Sequence, residues 1–384
     1  MWADIARGEI NAANFSLNDK WVPWYNIHKL YAGLRDAYLI AGNDKYLELA
    51  ERFSHRLILD PLISKENRLT GMHANTQIPK VIGFQRYAEA TNNDKWNKAS
   101  EFFWDAIVDN WTVSIGGNSV YEHLHPPDDF SSMVSSNQGP ETCNTYNMLR
   151  LSKLLYLADP GNKYMDYYER ALYNHILSSK HPEGGYVYFT PMRPRHYRVY
   201  SQPHDCFWCC VGSGLENHGK YTEMIYLHDN NGIYVPVTRR WKNGDVITVS
   251  LPMKTRIEYL PDGSDWASIL HGPVVLAAVT GDDDLDGIFA DDGRWAHVAG
   301  GPHYPVDSAP LIVSTDRDFS NLIVPTGEKP MTFRIPDLIH YPEGNELTLV
   351  PFYEIHEARY MIYWPVITRE ELDRRVSGRK AEDQ

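Results

Sequence analysis

Apolar residues recur at three- and four-residue steps through the first half of the chain and shrink to short β-type runs in the second. Ile27, Leu30, Tyr31, Leu34 and Tyr38 mark an amphipathic helix starting near Trp24, with His28 on or near its buried stripe. Gly42-Asn43-Asp44 ends that helix, and a second is expected from Asp44-Lys45-Tyr46 through Leu49, Ala50, Phe53 and Leu57. The punctuation returns at Asn92-Asn93-Asp94-Lys95-Trp96, between a helix carrying Ile78, Val81, Ile82 and Tyr87 and one carrying Ala99, Phe102, Phe103 and Ala106. It returns again at Pro160-Gly161-Asn162-Lys163-Tyr164, between helices expected at about 144–158 and 164–177. Three copies of helix, short turn and helix read as αα-hairpins, which bury their faces only by stacking on neighbours in a superhelix or a closed α/α toroid.

Beyond about Leu227 the period changes. Ile233-Tyr234-Val235, Val246-Ile247-Thr248-Val249, Ile257-Glu258-Tyr259, Val274-Val275-Leu276, Leu311-Ile312-Val313, Leu347-Thr348-Leu349-Val350 and Tyr360-Met361-Ile362-Tyr363 are strand-like runs separated by Gly, Pro, Asp and Asn. They predict an all-β domain, a sandwich by the commonest packing of such runs. Residues 280–304, rich in Asp and Gly, read as a long surface loop, and the residues after Val366 as a charged tail.

Four cysteines in 384 residues change the picture, because three fall in Cys206-Phe207-Trp208-Cys209-Cys210 and the fourth is Cys143. Adjacent cysteines rarely bridge each other, since the ring they would close is strained. A thiolate metal site, a redox pair Cys206-x-x-Cys209 and a nucleophile remain; among metals zinc suits three sulfurs plus one carboxylate or imidazole. Gly212-Ser213-Gly214 and the apolar spacing of Leu215, Tyr221 and Met224 place the pair just before a helix N-terminus, where a thiol pKa falls. No thioredoxin-like pattern surrounds the redox candidate.

The long connection 114–140 holds Glu122-His123-Leu124-His125, where the histidines can chelate but lack the helical spacing of zinc proteases. A carboxyl beside prolines and aromatics can also have a raised pKa and act as general acid; Glu122, Asp128, Asp129, Glu141 and Glu216 are the candidates. By pattern alone His28 and His73 are helix-face histidines, and Tyr186 and Tyr188 are strand core. A net charge of -13 argues against nucleic acid and anionic membranes as partners. No run reaches membrane-spanning length, and Met1 to Leu17 lacks the basic and apolar regions of a signal peptide, so the expected compartment is cytoplasmic. The 25 tyrosines and 11 tryptophans suit stacking on sugar faces as well as packing, and nothing in the pattern fixes an oligomeric state.

Taken together, Tyr25-Asn26-Ile27-His28-Lys29, Gly71-Met72-His73-Ala74-Asn75-Thr76, Gly116-Gly117-Asn118-Ser119, Gly139-Pro140-Glu141-Thr142-Cys143-Asn144-Thr145-Tyr146 and Phe207-Trp208-Cys209-Cys210 resemble the β-L-arabinofuranosidases of glycoside hydrolase families 127 and 146, more closely family 146. The resemblance runs from about Trp2 to Trp364. It implies an (α/α)6 barrel followed by β-sandwich domains, here residues 1–228 and 229–366, with 367–384 as the tail. It further implies zinc on Glu141, Cys143, Cys209 and Cys210, Cys209 as nucleophile, Glu122 as general acid/base, and His28, His73 and Tyr188 against the sugar of a carbohydrate substrate. Cys206 has no matching role. A retaining glycosidase needs an acid and a nucleophile on opposite faces of the sugar, a thiolate here replacing the second carboxylate. The family's barrel has twelve helices, against about seven expected here. The chain begins downstream of the family's first barrel helices, and family segments between Asn43 and Asp44 and between Val235 and Arg239 are absent. The alternative that follows is an inactive, zinc-stabilised remnant that binds sugar.

Overall fold

The computed structural model describes residues 2–11, 18–19, 26–224, 240, 242–246, 248, 252–341 and 346–382. The expected strand at 233–235 and half of that at 246–249 lie outside the described residues, as does the start of the first expected helix at Trp24. Eleven α-helices are described: α1 (Trp2–Ala6), α2 (Ile27–Ala41), α3 (Lys45–Arg52), α4 (Arg56–Ile63), α5 (Ala74–Thr91), α6 (Asp94–Trp111), α7 (Ser131–Ser135), α8 (Thr142–Ala158), α9 (Asn162–Ala171), α10 (Cys209–His218) and α11 (Arg369–Glu382). The last is what the charged tail forms. None is long and apolar enough to cross a membrane.

The three hairpins are α2/α3, α5/α6 and α8/α9, each a packed pair. Gly42 and Asn92 close the first helices of two of them in the left-handed conformation, and the Asn93 side chain accepts from the Trp96 backbone N–H to start α6. Where one second helix was expected, two form, because the chain breaks at Ser54-His55. Tyr31 of α2 accepts the His55 backbone N–H at 2.8 Å and donates to the Phe53 carbonyl at 2.6 Å, so a buried phenol takes over backbone bonds that a continuous helix would have made itself. Eight helices of the hairpin type result among the described residues, against the seven expected and the twelve of a full barrel. Towards residue 177, α9 loosens into a π turn over Leu172–Ile176 and a final 3-10 turn.

Four helices pack side by side in the order α2, α5, α8, α10; α3, α6 and α9 lie against them, and α4 against α6. Their shared core contains Ile78, Phe84, Trp104, Met148 and Leu151, all nearly inaccessible. Lys80 is wholly buried here, donating to Gln77 Oε1 at 3.1 Å and lying 3.0 Å from His55 Nδ1. Burial lowers its pKa to about 7. Between that value and the unfolded value of 10.5 the folded state binds fewer protons than the unfolded one, so stability rises with pH across that window and is reduced below it. Thermal melts of wild type and Lys80→Met at about pH 6 and about pH 9 are expected to show a larger gain with pH in the wild type.

The second half forms one ten-stranded sheet: β1 (Thr255–Tyr259), β2 (Trp266–His271), β3 (Val274–Gly281), β4 (Leu311–Val313), β5 (Val324–Pro325), β6 (Phe333–Arg334), β7 (Ile339–His340), β8 (Leu349–Pro351), β9 (Arg359–Met361) and β10 (Tyr363–Ile367). The order β5-β6-β8-β3-β2-β10-β4-β7 is antiparallel except where β10 meets β4; β1 adds to β2 and β9 to β3. Side chains alternate between two buried faces, as the period of two requires. Val275 and Ala277 face a core with Val113, Ile115, Phe130 and Met133 of the helical half, whereas Leu276 and Ala278 face one with Phe319, Phe333, Leu349 and Trp364. The chain is therefore a helical domain followed by an antiparallel-rich β domain, in a single structure whose halves share a core.

The expected surface loop at 280–304 is largely fixed. Arg359 donates to the Asp283, Asp284 and Pro302 carbonyls, the Tyr197 hydroxyl to the Asp286 carbonyl, and Asn137 to that of Ala299. Ala290 and Ala299 are buried with Tyr197, Val199 and Cys206. These contacts hold the loop across the ends of the inner helices.

Candidate active site

Glu141 is the N-cap of α8, Cys143 lies in its first turn, and Cys209 and Cys210 are the first two residues of α10. The pair is thus inside the helix rather than before it. Gly212 and Gly214 are helical too, and position 214 requires glycine because a Cβ there would stand 2.6 Å from the Tyr186 ring. The helix ends at His218, short of the expected Tyr221 and Met224. His73 is the N-cap of α5, and His28 lies in the first turn of α2, half-buried and lining a cavity of about 540 Å³ among the inner helices. Helices α5, α8 and α10 therefore turn the positive ends of their dipoles toward Glu122, Glu141 and Cys209.

One ligand atom each from Glu141, Cys143, Cys209 and Cys210 fall within 4.8 Å of one another, and no other such cluster occurs among the described residues. Glu141 Oε1 is 3.9 Å from Cys209 Sγ and 3.8 Å from Cys210 Sγ; Cys210 Sγ is 3.9 Å from Cys209 Sγ and 3.2 Å from Cys143 Sγ. Tetrahedral zinc with sulfur ligands at ~2.3 Å separates its donors by roughly 3.8 Å, so the four could hold a metal with little movement. Glu141 is fully buried; Asn75 donates to its Oε1 at 3.0 Å, and Oε2 has no partner among the described residues. Burial and the neighbouring Cys209 push the Glu141 carboxyl well up, and hydrogen bonding and burial do the same to Cys143 and Cys210. Several anions in so small a dry volume repel one another, and an orphaned carboxylate oxygen costs its desolvation. A cation on the four donors would remove both costs.

Cys209 differs from the other three cysteines in being exposed. Hydrogen bonds, chiefly with Cys143 and Cys210, bring its pKa down to about 3. Tyr188 donates to Glu122 Oε1, and burial first, then the nearby anions, push its own pKa far up, keeping it a donor. The phenol's single proton thus goes to Glu122. Tyr188 is held by pairing of its segment with the start of α8: its carbonyl accepts from Thr142 N at 3.0 Å, and Thr190 N donates to the Pro140 carbonyl at 3.0 Å. Gly139 permits this approach, since a Cβ there would stand 2.4 Å from the Thr190 carbonyl oxygen.

Glu122 projects from a strained turn. Ser119, Tyr121 and Glu122 all have positive φ, which costs on the order of 1 kcal/mol or more each for non-glycine residues. Hydrogen bonds fix the turn: the Glu122 carbonyl accepts from Ala74 N at 2.8 Å, Tyr121 N donates to Gln138, and Asn144 of α8 donates to Ser119 Oγ. His73 Nε2 lies 3.4 Å from Glu122 Oε2. Bonding to His73 outweighs burial and, with Tyr188, lowers the Glu122 pKa to about 2. The raised pKa expected for a general acid in this loop is therefore not found, because the expectation counted burial and not donors.

Among the other carboxyls, Asp128 and Asp129 are exposed, Asp129 accepting from Ser131 N at the start of α7, and exposed Glu216 pairs with Lys220 and Tyr146. The His123/His125 metal site does not form: His125 Nδ1 is 2.8 Å from the Pro126 carbonyl, while exposed His123 packs edge-on against His73. Buried Cys206 donates to the Ala290 and Asp291 carbonyls, apart from the cluster. Tyr186 packs on Gly214 and His218. Sequence reasoning gave no role to Asn75, which orients Glu141, or to His297, whose ring lies 4.4 Å from that of Tyr188. Asn75 stood in a quoted motif; His297 sat in an acidic loop with no local signal.

Residues 36–223 match the family model of the β-L-arabinofuranosidase GH127 catalytic domain, and 256–366 match a domain of unknown function. No curated protein matches the sequence. Among solved structures, a GH127 β-arabinofuranosidase superposes with TM-score 0.53 at 18% identity, covering 88% of this chain and 68% of that one. A GH127 β-L-arabinofuranosidase from Geobacillus stearothermophilus T6 does so with TM-score 0.56 at 13% identity, covering 88% and 71%. At such identities the superpositions speak for the fold, and the family model for the chemistry of the helical half. Residues 36–223, just under half of the chain, thus match a family 127 catalytic domain, and the chain is a glycosidase.

Proposed function

We propose that the protein is a retaining β-L-arabinofuranosidase in which Cys209 is the nucleophile and Glu122 the general acid/base. The observation that carries this reading is the exposed, acidified Cys209 thiol beside Tyr188, which donates to Glu122, inside a family 127 domain. The Cys209 thiolate attacks the anomeric carbon as the bond to the leaving oxygen breaks, and Glu122 gives that oxygen a proton. The glycosyl thioether is then attacked by water, whose proton passes to Glu122 as the thiolate departs. His28, His73 and Tyr188 orient the sugar. Glu141, Cys143, Cys209 and Cys210 hold zinc, which when bound supplies the positive charge that keeps the thiolates ionised in a buried setting. The catalytic domain spans residues 1–228, the β domain 229–366 and the tail 367–384; the placement nearer family 146 rests on the quoted motifs.

Purified protein is expected to hydrolyse p-nitrophenyl β-L-arabinofuranoside and release arabinose first as the β anomer. A folded, zinc-bearing protein with no turnover of this compound would favour the sugar-binding remnant instead.

The depressed Glu122 pKa sets a pH dependence. At neutral pH the carboxylate form, ready to serve as base, dominates, and the protonated form needed for the first step becomes scarcer as pH rises. Substrates with a sugar leaving group are expected to lose kcat/KM with rising pH, whereas aryl glycosides, whose leaving group needs no proton, stay nearly flat. Parallel pH profiles for the two substrates would contradict Glu122 as the acid.

A further inference from the structure

We propose that the 280–304 segment of the β domain builds a binding subsite for the leaving-group sugar, with His297 as its polar contact and Trp295 as its stacking platform. The inference rests on the arabinofuranosidase reading and adds the part of the substrate that lies beyond the scissile bond. A continuous aromatic run leads outward from the reacting groups. Tyr188, bonded to Glu122, packs on His297 at 4.4 Å between ring centroids; His297 in turn lies 5.6 Å from Trp208 and 5.8 Å from Trp295. Trp208 directly precedes Cys209, so the run borders the nucleophile as well.

Exposure grades along this run in the sense a subsite requires. His297 is half-buried and Trp295 is 64% exposed, a large apolar ring left open at the mouth of the site. Arg294 sits over the Trp295 ring at 5.4 Å. His297 Nδ1 is enclosed, so the ring nitrogen left for a sugar hydroxyl is Nε2. The acid that protonates the leaving oxygen stands beside the leaving group, so the side chains stepping outward from Glu122 flank the aglycone. A sugar ring suits them, since its C–H face stacks on an indole and its hydroxyls pair with an imidazole. The clamp that Arg359 makes on both ends of the segment means the platform exists before substrate arrives.

The test compares wild type, Trp295→Ala and His297→Gln on a β-L-arabinofuranosyl disaccharide and on methyl β-L-arabinofuranoside, whose leaving group has no ring. In both variants the preference for the disaccharide, as a ratio of kcat/KM values, is expected to fall by roughly tenfold, the scale of one aromatic or hydrogen-bonded contact. An unchanged ratio in both overturns the proposal. If the wild type cleaves neither glycoside, the arabinofuranosidase reading fails on its own, and the subsite is decided by titrating tryptophan fluorescence with the disaccharide and with L-arabinose. Tighter binding of the disaccharide, lost in Trp295→Ala, upholds the subsite; equal binding of the two sugars, or a difference that survives the substitution, overturns it.

Discussion

Cys209→Ser is expected to lose turnover by a factor on the order of 10⁴ or more, the scale seen when a covalent nucleophile is removed. A serine hydroxyl in the same place has no comparable route to ionisation: the hydrogen bonds with Cys143 and Cys210 bring a thiol down to about 3, but an alkoxide starts far higher. Cys209 is also one of the three sulfurs of the proposed zinc site, so the variant is expected to weaken metal binding and stability as well. Steady-state kinetics beside a thermal melt would separate the two effects. A Cys209→Ser protein that keeps more than a few per cent of wild-type turnover would remove the thiolate from the mechanism.

Cys143→Ser is expected to lose the metal and much of the stability. Binding free energy at a structural zinc site is about 10–16 kcal/mol in small peptides, and part of it is folding free energy, so losing one of three sulfurs should cost several kcal/mol. Cys143 is buried, 3.2 Å from Cys210 and 3.1 Å from Ser213 Oγ, so the variant also leaves Glu141 and Cys210 crowded without their counter-charge. The matched control is Cys206→Ser, in which the new hydroxyl can still donate to the Ala290 and Asp291 carbonyls. Elemental analysis should find about one zinc per chain in wild type and Cys206→Ser, and little in Cys143→Ser. Loss of metal in the Cys206 variant would mean that a different set of sulfurs binds it.

The parts of this architecture written in local pattern were legible, and those that depend on tertiary partners were not. Helix spacing and the Asn/Gly turns located the three hairpins, since those signals act within a few residues. The break before α4 depends on the Tyr31 hydroxyl reaching His55 from another helix, which no window on residues 44–57 contains. Strand β2 was missed because Trp266–His271 is buried on both faces and so lacks alternation. Within the site, the rarity of cysteine singled out Cys143, Cys209 and Cys210, but composition alone could not set Cys206 aside. The acidity of Glu122 was misjudged because its donors, His73 and Tyr188, are 49 and 66 residues away. His297 escaped notice for the same reason: its importance comes from a fold that lays a β-domain loop over helix ends.

The central claim is that sugar becomes covalently attached to Cys209. Glu122→Ala treated with an aryl β-L-arabinofuranoside should still form the thioether, because an activated leaving group needs no proton, yet hydrolyse it slowly for want of a base. Site-localised mass spectrometry of that variant is predicted to show a pentosyl mass increase on Cys209, absent when Cys209→Ser is added. An adduct on Glu141, Cys206 or any other residue, or no adduct in a variant that still releases the aryl group, would contradict the account.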